Sequence, residues 1–90
     1  MTKENFRASL SDLHSELKNV QHVDRTSGDI LKKLGSDIQR ILENSGEVPR
    51  QHHESLLESL RESMEHFEVS HPRLSALMSD IVNMLGDMGI

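Results

Sequence analysis

Six histidines, His14, His22, His52, His53, His66 and His71, are the first groups in this ninety-residue chain that could do chemistry. Metal binding needs several of them, or their acidic neighbours, to converge. His52 and His53 are adjacent, so on a helix they point roughly 100° apart and do not share an ion. Glu62 and His66 are four apart and can share a face. Glu68-Val69-Ser70-His71 has the E-x-x-H spacing of di-iron bundles, but such a site takes two of these motifs and two further inward glutamates. This chain carries one, with Pro72 directly after it. The histidines are therefore expected to be exposed or to cap helix ends, with no metal and no cofactor.

Nucleophilic and acid–base chemistry find little support in the residue pattern. Cysteine is absent, and none of the serines sits in G-x-S-x-G. Neither phosphate-binding glycine motif, G-x-x-x-x-G-K-[ST] or G-x-G-x-x-G, is present. Carboxylates are plentiful, yet none is bracketed by the apolar surroundings that raise a carboxyl group into the range of an acid catalyst. No enzyme is expected and no catalytic residue is assigned.

Charge narrows the partners. Residues 1–45 hold seven Lys or Arg and seven Asp or Glu, whereas residues 46–90 hold three basic and eight acidic groups, which accounts for the whole net charge of −5. An acidic half does not attract phosphate backbones. With no Trp or Tyr and only Phe6 and Phe67, stacking platforms for bases are missing too. An acidic polar face also disfavours anionic membrane surfaces. No stretch approaches the roughly 20 apolar residues of a membrane span, and MTKENFRASLSDLH lacks the apolar run of a signal peptide. Neither nucleic acid nor membrane is expected as a partner, and the expected location is the cytoplasm.

The elements that must position these groups are helical. Phe6, Leu10, Leu13, Leu17 and Val20 recur at steps of four and three between about Thr2 and Gln21. Gln21-His22-Val23-Asp24 breaks the pattern, and Asp24, with Ser27 as its rival, is a candidate N-cap for a second segment running to about Asn44. That segment carries Ile30, Leu31, Leu34, Ile38, Ile41 and Leu42, with Gly35 inside it, either tolerated or admitting close helix approach. Around Asn44-Ser45-Gly46-Glu47-Val48-Pro49, Gly46 suits the left-handed position past a helix end and Pro49 the first turn of the next helix. A third segment runs to about Glu68, with Leu56, Leu57, Leu60, Met64 and Phe67 as its stripe. Glu54, Glu58, Glu62 and Glu65 form a separate row, best read as a solvated face.

A corner at Phe67, Ser70, His71 and Pro72 ends the third segment, because proline disfavours helix in the residue before it. A single helix kinked at Pro72 is the alternative. From Leu74 to Ile90 there are ten apolar residues, two Asp and no Lys or Arg. Leu74, Leu77, Met78, Ile81, Met84, Leu85 and Met88 form an apolar face wider than one neighbouring helix would cover, so it is expected to be the most buried helix and the interaction face between copies. Gly86 and Gly89 are expected to let its end fray.

The second half is similar to a known family. Leu56-x-x-x-Leu60-Arg61-Glu62, Phe67-Glu68-x-x-His71-Pro72-x-Leu74 and Met88-Gly89-Ile90, together with Leu10-x-x-Leu13-His14-x-Glu16-Leu17 and Asp37-Ile38-Gln39-x-Ile41-Leu42, resemble a family of short bacterial proteins classed as a domain of unknown function. The resemblance covers most of the chain, with Glu43 to His53 departing most. It implies a small helical cytoplasmic protein and supplies no catalytic residue.

The expected architecture is an all-α single domain of four amphipathic helices in two antiparallel hairpins, residues 1–45 and 46–90, joined as a helical bundle. The expected assembly is a homodimer formed mainly by the third and fourth segments. The expected function is a non-enzymatic interaction or regulatory module with a further protein partner. A small-molecule or metal site between helices is the alternative.

Overall fold

A computed structural model describes residues 3–20, 24–44 and 46–90, with no side-chain placement for Lys3. Each sequence segment forms one helix: α1 Lys3–Asn19, α2 Arg25–Glu43, α3 Arg50–Phe67 and α4 Pro72–Asp87. Of the break expected at Gln21-His22-Val23-Asp24, the first three residues lie outside the described residues, as do Met1, Thr2 and Ser45, while Asp24 stands outside the helices, directly before α2.

Contacts between the helices fix the topology. Arg7, near the start of α1, reaches the carbonyls at the end of α2. Ser27, near the start of α2, meets His66 at the end of α3. Arg50 opens α3 and donates to the Gly89 carbonyl past the end of α4, and Arg73 at the start of α4 lies 3.7 Å from Glu16 near the end of α1. Successive helices are thus antiparallel, and α4 closes the ring against α1. Each helix packs on two neighbours, and among the described residues the diagonal pairs α1–α3 and α2–α4 do not pack on each other as helices.

The core lies on the axis of this square. α1 contributes Phe6, Leu10 and Leu13; α2 Leu34, Ile38 and Ile41; α3 Leu56, Leu60 and Phe67; α4 Leu74, Met78, Ile81 and Leu85. Steps of three and four in each set follow from the helical period. The radius of gyration, 12.3 Å, equals the roughly 12 Å of a compact chain of this length.

Helix ends depart from expectation in instructive ways. Asp24 is the N-cap of α2, its carboxylate accepting from the Ser27 backbone N–H at 2.7 Å. Gly46 does not take the left-handed conformation; Gly89 is the glycine with positive φ among the described residues. Instead Asn44 is extended at the end of α2 and its side-chain oxygen accepts from the Gly46 N–H. The Arg7 guanidinium supplies what a glycine cap would have supplied, donating to the carbonyls of Ile41, Leu42 and Asn44 at 3.2, 2.6 and 3.1 Å. Pro49 precedes α3 as its N-cap residue and is not in its first turn.

α3 and α4 are separate helices, with Pro72 opening the second. His71 is the N-cap residue but its side chain makes no capping bond; its ring packs 5.6 Å from that of Phe67. The end of α4 is closed, not frayed. Gly89 has φ +84, its N–H donates to Gly86 and the Ile90 N–H donates to Leu85. This is a Schellman cap, and Ile90 packs against the core as the apolar residue that accompanies it.

Candidate interaction surface and buried polar contacts

The expected face on α4 is divided by the bundle. Leu74, Met78, Ile81 and Leu85 are taken up by the chain's own core. Leu77 and Met84 are half-buried against it, and Met88 is 40% exposed. Two neighbours, α1 and α3, explain the width of the face, and α4 holds no more buried residues than α2 or α3. Within one chain, only Leu77, Met84 and Met88 of the seven keep surface for a partner. The Val69 side chain, before the Ser70–Pro72 corner, is 93% exposed.

Polar groups do meet inside the bundle, at places the apolar pattern did not single out. Asp37 is 5% exposed on α2. Its carboxylate accepts from the Ser55 hydroxyl at 3.1 Å and the Ser59 hydroxyl at 2.5 Å, both on α3. Arg40, one turn on, stands 3.7 Å away. Ser63 donates to the Ser59 carbonyl. A buried carboxylate requires such partners, so this cluster sets how α2 and α3 face each other. Its visible signal is a polar residue within the Leu34–Ile41 stripe and small serines beside the Leu56–Leu60 stripe.

A second cluster joins the beginning of α2 to the end of α3. Ser27 Oγ lies 2.6 Å from His66 Nε2. The Asp24 carboxyl is held below the usual aspartate range by the Ser27 backbone hydrogen bond, then by the Ser27 side chain, with His66 adding a smaller attraction. The residue types are those of a catalytic triad, but the roles differ. Asp24 accepts from the Ser27 backbone instead of orienting the imidazole, and Ser27 is buried. The contact fastens two helix ends.

The histidines are dispersed. His66 and Glu62 are both exposed, His53 packs its ring edge-on to Phe6, and His22 lies outside the described residues. His52 Nδ1 is buried without a hydrogen-bond partner among the described residues. Among the described residues, no three His, Asp or Glu side chains are grouped to hold a metal ion.

An open cleft of about 450 Å³ lies between α1 and α2. Leu17 and Leu31 supply apolar lining, and Gly28 and Gly35 remove side chains along one edge of α2. A Cβ at Gly35 would meet nothing within 4 Å, so this glycine opens the cleft instead of admitting α1. Lys18, Arg25 and Lys32 line it against Asp29 as its acidic group, with His14 alongside. α3 presents the opposite charge: Glu54, Glu58, Glu62 and Glu65 are all exposed.

Fold and surface together define a small all-α protein, a four-helix bundle with an open basic cleft on one side and an acidic helix row elsewhere. A family model described as Domain of unknown function (DUF4404) matches residues 6–90, and the chain belongs to that family. No curated protein and no solved structure matches the chain. Among the described residues, no helix is long and apolar enough to cross a membrane.

Proposed function

We propose that this chain is a non-enzymatic helical interaction module that works through self-association and through helix surfaces outside its core. The α1–α2 cleft is the observation that carries the reading. It combines apolar lining, glycine-lined backbone and a basic rim in an open groove, the features with which a bundle receives another helix. The remaining apolar surface of Leu77, Met84 and Met88 on α4 adds a second place where copies can touch.

Native mass spectrometry of freshly purified protein tests this reading. Ions containing two or more copies, with no added mass, support it. A single chain of 10.2 kDa carrying a retained small molecule or metal ion overturns it in favour of a ligand-binding bundle.

A further inference from the structure

We infer that the occupant of the α1–α2 cleft is the acidic row of α3 from a second copy of this chain. The inference rests on the self-association just proposed and names the surfaces that carry it. The row on α3 carries more acidic than basic groups, Arg61 being the cation beside it. Glu54, Glu58 and Glu62 are spaced four apart with Glu65 three further on, and all four face solvent. Like charges at these spacings cost a helix about 0.2–0.5 kcal/mol per pair. Among the described residues, none of these carboxylates forms an ion pair with Lys or Arg, and neither do Lys18, Arg25 or Lys32. Each chain thus displays an acidic row and a net basic cleft, Asp29 included, whose Lys and Arg side chains form no ion pair among the described residues.

The two surfaces agree in spacing as well as in sign. Arg25 and Lys32 are seven residues apart on α2, as are Glu58 and Glu65 on α3; both intervals span about 10 Å along a helix. Lys18, on α1, supplies a cation from the other wall of the cleft. The open space beside Gly35 lets the incoming helix approach the backbone of α2. Leu17 and Leu31 cover the aliphatic stems of the glutamates while the carboxylates reach the rim. Within one chain the acidic row faces outward from α3, so the pairing takes place between chains.

Reciprocal charge reversal tests the inference. One chain carries Glu58→Lys and Glu62→Lys; the other carries Lys18→Glu and Lys32→Glu. All four positions are exposed, and far-ultraviolet circular dichroism checks that each variant keeps wild-type helicity. Light scattering at low ionic strength then reads the mass. The expected result is wild type above 10.2 kDa, each variant alone at the single-chain mass, and the equimolar mixture restored, because each reversed surface finds its complement in the other variant. Variants that separately keep the wild-type mass overturn the seating of α3 in the cleft, while self-association through another face stands. A wild type that stays at the single-chain mass overturns both. A folded mixture that fails to regain mass overturns the seating alone.

Discussion

The Ser59 hydroxyl donates to the Asp37 carboxylate at 2.5 Å across the buried face between α2 and α3. The two residues are 1% and 5% exposed, so water cannot replace a lost partner. Ser59→Ala is expected to cost about 1–3 kcal/mol, the range for leaving a buried polar group short of a bond. Combining it with Asp37→Leu is expected to cost less than the sum of the single changes, because the double variant removes the buried charge as well as its partner. Urea denaturation of the three variants measures both quantities, and strict additivity would show that the pair is not coupled.

Arg7 closes the end of α2 from another helix, donating to three backbone carbonyls. Cationic donors at a helix C-terminus are favoured by both hydrogen bonding and the helix dipole. Arg7→Leu is expected to lower stability by about 1–3 kcal/mol and to speed amide hydrogen exchange in the last turn of α2. Unaltered exchange there would remove the capping role.

Gly89 holds φ at +84 in the Schellman cap of α4. A Cβ in this conformation costs about 1–2 kcal/mol. Gly89→Ala is expected to lower the unfolding free energy by that amount, although the new methyl meets nothing within 4 Å. The loss is conformational, so Gly86→Ala, at a helical position with equally open surroundings, is expected to be neutral or stabilising. Equal effects at the two positions would contradict this account of the cap.

The Asp24 carboxyl titrates below its ordinary value of 3.8 because the folded state donates to its charged form. A lowered folded value means that this contribution is fully present above the unfolded value and is lost as pH falls through the folded one. The gap in melting temperature between wild type and Asp24→Ala is therefore expected to narrow as pH falls below 3.8. A gap that widens on acidification would reverse the assignment.

Helices and their core stripes were legible because burial follows the helical period. Leu34, Ile38 and Ile41 or Leu74, Met78, Ile81 and Leu85 can be read directly from their spacing. Asp24 and Pro72 were legible because helix starts select particular side chains. Arg7 was not, since its acceptors lie more than thirty residues away and nothing local marks the pairing. The left-handed turn falls at Gly89 and not at Gly46 because a cap depends on what else reaches the helix end: Arg7 and Asn44 serve α2, while the Ile90 side chain anchors the turn after α4. The breadth of the α4 face was visible, but not its cause. A helix in a square bundle meets two neighbours, and flanking residues such as Leu77 and Met84 cover the seams. The cleft residues were individually visible, yet their convergence depends on how α1 and α2 lie side by side.

Light scattering of the wild-type chain across ionic strength tests the central claim most directly. At about 0.1 M salt the screening length is about 10 Å, and at about 1 M it is about 3 Å. An assembly held by Lys18, Arg25 and Lys32 against a glutamate row is predicted to exceed 10.2 kDa at low salt and to fall towards that mass at high salt. A mass of 10.2 kDa under every condition, or a larger mass indifferent to salt, would contradict it.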